Sequence, residues 1–173
     1  HLLANGGALI PNGLTILGAL AVIDTVDDMR PRCWGAPGST ARLLELPYAS
    51  ADLRDDAADA RHEMLSELTP LCTVRFDAPT TNALDARGRA RLRVVAAGTP
   101  TAIVSCFELA LCDGVTLSTA PSSRTHWRQI VTPIAPEVRR SSARGSHVWI
   151  EYSAARDEVR TWPSEAPGEL ARD

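Results

Sequence analysis

Lysine does not occur in this sequence of 173 residues, so all 18 basic residues are arginine. The 21 acidic residues nearly balance them. This balance argues against a strongly basic protein that coats nucleic acid and against an acidic solvating tail, and we expect no nucleic-acid partner. The apolar fraction of 45% is typical of a soluble globular protein, and the length is that of one domain.

Long apolar segments are also missing. Residues 14–23 form the longest one, and its ten residues fall short of the roughly 20 that a membrane-spanning helix needs. The chain starts at His1 rather than at Met, and no charged leader precedes an apolar stretch. We therefore expect no secretory signal, no membrane partner and a cytoplasmic protein. The missing start indicates a piece cut from a longer parent.

Cysteine is scarce, and none of the four cysteines belongs to a C-x-x-C pair. Cys33, Cys72, Cys106 and Cys112 are too scattered for a disulfide scaffold or for the usual spacing of zinc ligands. We expect buried free thiols in a reducing cytoplasm, and no metal.

Standard catalytic signatures are absent as well. The sequence contains no G-x-S-x-G elbow, no P-loop and no H-E-x-x-H. The pair Gly6-Gly7 is too short to be a dinucleotide fingerprint. His62 and His147 lack a neighbour in the sequence that would orient a general base, so each is more typical of a surface or packing histidine.

One segment, residues 50–68, has the pattern of a helix. Ser50 can cap its start, aspartates occupy its first turns, where the helix dipole favours negative charge, and Pro70 stops it. Apolar side chains recur along it and form one narrow stripe of Leu53, Ala57, Ala60, Met64 and Leu68. This apolar stripe either packs on its own domain or makes an intermolecular contact. Residues 24–67 carry a net charge of −5, which either attracts a basic polypeptide or forms a solvated surface.

Strand patterns dominate the rest of the chain. Residues 14–22 predict a buried strand, and after Pro70 strands are predicted over residues 71–76, 89–96, 101–112, 127–134, 146–152 and 158–162. Turn signals such as Asp113-Gly114 and Arg144-Gly145 separate them. Short strands without intervening helices predict a mainly β fold, either a sandwich or a barrel. Residues 163–173 are expected to form a loose tail.

Four arginines recur with a period of two, which on a strand directs their side chains to one face. They are Arg87, Arg89, Arg91 and Arg93. One interpretation is a phosphate-binding stripe, and the other is a solvated edge that discourages strand pairing. We favour the solvated edge because no aromatic residue is interleaved with the arginines along the chain.

Residues 117–129 form a polar loop that runs into a predicted strand and places His126 beside Trp127. A tryptophan offers a flat face to a cation such as guanidinium. A histidine can orient a carboxylate or take up a proton. The alternative is a tryptophan that only closes the end of the barrel by packing.

The same loop reads Ser118-Thr119-x-Pro121 and then Thr125-His126-Trp127-Arg128-Gln129. It resembles the Thr-His-Trp loop of the protein arginine methyltransferases, often written S-T-x-P, a short gap and T-H-W-K-Q. Residues 2–11 resemble the segment that leaves the family's cofactor domain, which ends at a proline that commonly follows a cis peptide. Residues 102–111 resemble the apolar strand before the loop, with Glu108 in the place of its acid. The resemblance covers about residues 2–162.

The resemblance implies a β-barrel that follows a Rossmann-like domain, the latter binding S-adenosylmethionine. It also implies an arm, here about residues 29–68, that makes a head-to-tail homodimer and assigns the apolar stripe to that contact. His126 takes the place of the catalytic histidine that pairs with acidic residues of the cofactor domain. Trp127 and Thr125 take the place of substrate-binding residues, Trp127 as a wall of the pocket for the substrate arginine.

Parts of the family pattern are missing from this chain, namely the cofactor domain, its Gly-rich loop and the two glutamates that hold the guanidinium. Residues 136–153 are also shorter than usual. We expect residues 1–13 to end the cofactor domain, residues 14–162 to form a β-barrel-like domain with a helical dimerisation arm, and residues 163–173 to be the tail.

This division predicts the C-terminal barrel of an S-adenosylmethionine-dependent protein arginine N-methyltransferase, whose partner is an arginine-containing protein or peptide. We expect the missing domain to bind the cofactor and this chain alone to be inactive. Two alternatives remain: a non-catalytic binding or dimerisation module that lost the cofactor domain, and an unrelated β-barrel.

Overall fold

Ten strands make up most of the residues that the computed structural model of the chain describes, which are residues 7–28, 49–53, 61–76, 86–155 and 158–164. The strands are β1 (Gly13–Ile23), β2 (Ala49–Ala51), β3 (His62–Met64), β4 (Thr69–Arg75), β5 (Ala86–Arg93), β6 (Ala102–Cys112), β7 (Val115–Ser118), β8 (Gln129–Pro133), β9 (His147–Ala155) and β10 (Glu158–Ser164). Single 3₁₀ turns lie at Val26–Asp28 and Pro136–Val138. No helix in these ranges has the length and apolar character needed to cross a membrane.

The larger sheet is a curled, seven-stranded half-barrel built around β1 and β6. These two long strands pair antiparallel from Gly13 opposite Ala110 to Ala21 opposite Ala102. The other edge of β1 pairs with β4 and then with β3. The other edge of β6 pairs with β7 and then with β8, and β2 pairs with β8. The mainly β fold predicted from the sequence is confirmed.

A smaller, three-stranded sheet has the order β10-β9-β5 and packs against the larger one. The core between them is a cluster drawn from both sheets and their connections, namely Leu20, Leu65, Leu71, Ala90, Leu92, Ile103, Ile134 and Ile150. Burial of this apolar surface holds the two sheets together.

A second apolar cluster covers the opposite face of the half-barrel. Its buried members are Ala21, Ile23, Val26, Ala51, Leu53, Ala102, Val104 and Val131, and Met64 packs against them. Because both faces are covered over residues 17–21 of β1 and 102–106 of β6, these parts of the strands read as nearly continuous apolar runs rather than as alternating patterns.

A helix is predicted over residues 50–68, and the prediction is wrong for both of its ends, which are the parts of this segment that the structure describes. Ala49–Ala51 and His62–Met64 are strands, and Pro70 lies inside β4 instead of stopping a helix. Leu53 is fully buried in the second cluster, and Met64 packs against it, so these stripe residues pack within this chain. Pairing with β8 and β1 outweighs the local helical spacing. Residues 29–48 and 54–60 lie outside the described residues, and a helical arm is not shown.

The other strands predicted from the sequence are present, with bounds that differ at their ends. The predicted strands match β1, β4, β5, β6, β8, β9 and β10 with shifted bounds, and β2, β3 and β7 were not predicted. Gly114 and Gly145 have positive φ values of 75° and 85°, as the two turn signals require. The predicted tail begins too early because β10 continues to Ser164, and residues 165–173 lie outside the described residues. The Ile10–Pro11 peptide is cis, the form that the resemblance implies there.

Candidate Thr-His-Trp loop site

The loop between β7 and β8 is anchored at its first residue, Thr119, which is fully buried. The Thr119 hydroxyl accepts a hydrogen bond from the Phe107 N–H at 2.9 Å and donates one to the Phe107 carbonyl at 3.2 Å. The Thr119 N–H donates to the same carbonyl at 2.9 Å. These bonds fill the gap on β6 between its pairing with β7 and its pairing with β8, so the start of the loop is fixed to the sheet.

Gln129 anchors the other end of the loop, and its side chain is also buried. Its Nε2 donates to the Thr119 carbonyl at 2.7 Å, and its Oε1 accepts from the Leu53 N–H at 2.9 Å. One amide therefore ties the two ends of the loop together and joins them to Leu53, two residues after the end of β2. The sequence motif contains Thr119 and Gln129 without revealing this structural role.

His126 and Trp127 lie at the surface on this anchored loop. The Trp127 ring packs on Phe107 at a centroid distance of 5.7 Å and an interplanar angle of 60°, and 39% of the residue stays exposed. The His126 ring lies 4.5 Å from the Trp127 ring at 32°, and His126 is exposed. The pair offers a flat aromatic surface to a cation and an imidazole to an incoming carboxylate.

Thr125, the third predicted site residue, contributes a buried hydroxyl. Among the described residues this hydroxyl has no hydrogen-bond partner, although the Thr125 N–H donates to the Ser123 carbonyl at 3.1 Å. A buried hydroxyl without a partner costs about 1–3 kcal/mol. Substrate contact by Thr125 stays a prediction.

Glu108 lies on the opposite face of β6 from Phe107, and therefore away from the ring of Trp127. On that face a polar row crosses four paired strands: Thr73, Thr15, Glu108 and Ser118. The Thr15 and Thr73 hydroxyls are 3.2 Å apart, and Thr73, Thr15 and Glu108 of this row line a surface cleft of about 360 Å³. Burial, together with the nearby Glu108 carboxylate, raises the pKa of the Cys106 thiol to about 12.

The cysteines and the other histidines considered in the sequence analysis do not form a further site among the described residues. Cys72 and Cys106 are buried free thiols as predicted, whereas Cys112 is exposed and Cys33 lies outside the described residues. His62 belongs to β3 and not to a helix, and His147 accepts a hydrogen bond from Arg91. Within the described ranges, no three histidine, cysteine or acidic side chains are grouped as a metal site would require.

Comparison with known proteins finds similar structures but no match by sequence. No protein-family model matches the chain, and no curated protein matches it either. The chain is similar in structure to the Trypanosoma brucei PRMT1 enzyme–prozyme heterotetrameric complex with AdoHcy, with a TM-score of 0.70 and 14% identity over 98% of this chain. It is also similar to PRMT6, with a TM-score of 0.58 and 16% identity over 87% of this chain, and to PRMT6 with SAH, with a TM-score of 0.60 and 15% identity over 89%.

These matches concern one portion of the larger proteins. The chain covers 56% of the Trypanosoma PRMT1 chain, 53% of the PRMT6 chain and 55% of the PRMT6–SAH chain. Identities of 14–16% show a shared fold. The chain has the fold of a PRMT β-barrel portion.

Proposed function

We propose that this chain is the substrate-binding and dimerisation barrel of an S-adenosylmethionine-dependent protein arginine N-methyltransferase. The observation that carries the proposal is the exposed His126–Trp127 pair, held on an anchored loop of a PRMT-like barrel. Shared fold alone does not assign function. The loop adds side chains whose chemistry suits a guanidinium substrate.

Trp127 forms one wall of the pocket for the substrate arginine. Its ring packs on Phe107, so it keeps its orientation while the exposed part of the ring, on a residue that is 39% exposed, meets the planar guanidinium. Contact between an arginine and a tryptophan face gains cation–π energy and excludes water from the nitrogen that accepts the methyl group. Thr125 supplies a hydroxyl to the same pocket.

His126 positions the reacting groups from the side of the barrel. Its exposed imidazole pairs with a carboxylate of the cofactor domain and fixes that acid relative to the loop. Methyl transfer needs the guanidinium nitrogen aligned with the methyl group and a carboxylate that localises charge on it. Gln129 and Thr119 serve this alignment indirectly, because they fix both ends of the loop.

The described residues do not fit S-adenosylmethionine. A nucleoside cofactor of this kind is held by a glycine-rich turn that leads into a helix N-terminus, whereas the described ranges contain strands and single 3₁₀ turns. The proposal therefore gives the cofactor to a separate domain of the parent protein, and the methyl group comes from there.

The parent protein is proposed to be a cytoplasmic homodimer that acts on arginine-containing proteins or peptides. The structure of Trypanosoma brucei PRMT1 is that of a heterotetrameric complex, so proteins with this barrel do assemble. The dimerisation role of the arm, about residues 29–68, belongs to this proposal.

The test uses the full-length product of the gene that encodes this chain. Transfer of labelled methyl groups to an arginine-rich peptide is measured for His126→Ala and Trp127→Ala. Each variant is expected to lose at least about tenfold in kcat/KM, which equals roughly 1.4 kcal/mol of transition-state stabilisation. Trp127→Phe keeps an aromatic wall and should recover part of the loss.

His147→Ala is the matched control, because His147 is an exposed histidine on the three-stranded sheet. It should keep near-normal activity. Full activity in both loop variants would refute the assigned site, and an equal loss in all three would remove any special role of the loop. A full-length product without methyl transfer would leave the binding module as the better interpretation.

A further inference from the structure

The outer face of the three-stranded sheet carries the four arginines of β5. Arg87, Arg89, Arg91 and Arg93 are all exposed. Ala90 and Leu92, which alternate with them, belong to the core between the sheets. The four arginines therefore share one solvent-facing surface, as their spacing predicts.

Strand β9 adds an aromatic residue to this surface. Its core-facing residues are Val148, Ile150 and Tyr152, so His147, Trp149, Glu151 and Ser153 lie on the same side as the arginines. In the register Trp149 is directly opposite Arg91, and Glu151 is opposite Arg89. We name these residues of β5 and β9 the arginine face. The sequence contains no aromatic residue between the arginines, but the neighbouring strand supplies one.

Neighbouring side chains hold the guanidinium groups in place. Arg89 donates to one Glu151 oxygen from Nε at 2.8 Å and from Nη2 at 2.6 Å. Arg91 donates from Nη2 to Nδ1 of His147 at 3.0 Å. Trp149 lies between these two partners along β9, directly opposite Arg91, and is half-buried.

The arginines keep donors that face solvent. A guanidinium has five N–H groups, and Arg91 commits one of them to His147. The Arg89 and Arg93 side chains are 40% and 63% exposed, the latter while paired with Glu67 at 3.1 Å. Four like charges along one strand, partly offset by Glu151 and Glu67, make a locally positive surface on an acidic protein of net charge −3.

We propose that the arginine face binds single-stranded nucleic acid, with phosphates along β5 and a base stacked on Trp149. Successive arginines are about 6.6 Å apart on an extended strand, which gives a row of phosphate donors rather than one anion site. Positive side chains beside an aromatic stacking platform are the combination used for single strands. An acidic polypeptide would use the charges but not the flat ring. The proposal revises the expectation from overall composition, since the positive charge is local.

Binding is tested with the 173-residue chain and a fluorescein-labelled oligouridylate RNA of about 12 nucleotides, by fluorescence anisotropy. We expect a dissociation constant of about 1–100 μM at about 50 mM salt. The slope of log K against log salt should be about −2 to −3, since each phosphate contact on a single strand contributes about 0.7.

Two variants separate the charge from the stacking. Arg87→Glu with Arg91→Glu should weaken binding at least tenfold and reduce the salt slope by about 1.4. Trp149→Leu should weaken binding by about five- to hundredfold, in line with stacking energies, and leave the salt slope unchanged. Arg124→Glu is the control, because Arg124 is an exposed arginine in the loop between β7 and β8. It should change affinity less than twofold.

Three outcomes overturn the proposal: no binding at several hundred micromolar protein, an equal loss in the Arg124 control, or polyglutamate binding as tightly as the RNA. The last result would make the face a site for acidic polypeptides. Circular dichroism melting confirms that each variant folds, and Arg87→Gln and Trp149→Phe repeat the test if a stronger change unfolds the chain. Methyl transfer is not needed for any of these readouts.

Discussion

In the larger sheet, residues 17–21 of β1 and 102–106 of β6 are covered on both faces by apolar clusters, whereas β5 in the smaller sheet alternates buried and exposed residues. The larger sheet holds its loop with buried hydrogen bonds of Thr119 and Gln129. The smaller sheet holds its arginines with exposed pairs such as Arg89–Glu151.

The buried hydrogen bonds of the larger sheet contribute to the stability of the fold, whereas the exposed ion pairs of the smaller sheet mainly set the charge of its surface. Buried polar groups are costly to disturb because their partners lose hydrogen bonds that water cannot replace. Exposed ion pairs contribute about 0–1 kcal/mol because water already solvates both charges. Substitutions in the larger sheet should therefore change folding, and substitutions on the arginine face should change binding.

The largest effect is expected for Leu53→Ala, which opens a cavity in the second apolar cluster. Leu53 is fully buried there beside Val104 and Val131. A leucine-to-alanine change at such a site costs about 2–5 kcal/mol, measured as the free energy of unfolding in urea. Leu9→Ala is the matched control, because Leu9 is 38% exposed and should lose less than about 0.5 kcal/mol. Equal small losses would mean that residue 53 packs loosely and that an intermolecular role for it is open again.

A smaller loss is expected for Thr119→Val, which keeps the shape of the side chain and removes its hydroxyl. The Phe107 N–H then loses its acceptor at a partly buried position, at a cost of about 1–3 kcal/mol. Thr119→Ser keeps the hydroxyl and should lose about 1 kcal/mol, roughly the value of one buried methyl group. If the two variants unfold at the same denaturant concentration, the hydroxyl does not anchor the loop.

The contrast between the two sheets also explains which parts of the fold can be predicted from the sequence. The long strands β1 and β6 are predicted because continuous apolar residues identify a strand covered on both sides. The three-residue strands β2 and β3 are not predicted. They form by pairing with β8 and β1, whose residues are distant from them in the sequence. Their segment contains helical spacing that only these long-range pairs override.

The candidate sites, too, could be predicted from the sequence only in part. The amino-acid sequence of the loop identifies His126 and Trp127. Only the structure shows that Phe107 packs against the Trp127 ring and that Gln129 joins the two ends of the loop. The arginine period predicts a shared face. The position of Trp149 on that face depends on the register between β5 and β9, which no local pattern contains.

A pH-dependent effect is expected from the Asp27–Arg139 pair, which joins the 3₁₀ turn Val26–Asp28 to the segment after β8. Hydrogen bonds from Arg139 hold the pKa of the Asp27 carboxyl below its ordinary value of 3.8, against a smaller effect of desolvation. The pair therefore stabilises the fold above about pH 4 and is lost as the pH falls through the lowered pKa.

Asp27→Asn should lower the Tm near neutral pH, and its difference from the parent should shrink as the pH falls below about 4 and the Asp27 carboxyl takes up a proton. Arg139→Gln should keep a deficit at every pH, because the Arg139 Nε also donates to the Ile134 carbonyl at 2.8 Å. A Tm difference for Asp27→Asn that does not vary with pH would show that the ion pair does not contribute.

The smallest change in stability is expected for Glu151→Gln on the arginine face. The Arg89 and Glu151 side chains are 40% and 27% exposed, so losing their ion pair should cost about 0.2–1 kcal/mol in urea unfolding. The same change removes the negative charge from the middle of the arginine face and releases Arg89 for a phosphate. RNA affinity should therefore rise by about two- to fivefold, and the salt slope should steepen by about 0.7. Ser153→Ala, on the same face and opposite Arg87, should change neither quantity. A stability loss above about 2 kcal/mol without tighter RNA binding would contradict the division, because Glu151 would then stabilise the smaller sheet as Thr119 does the larger one.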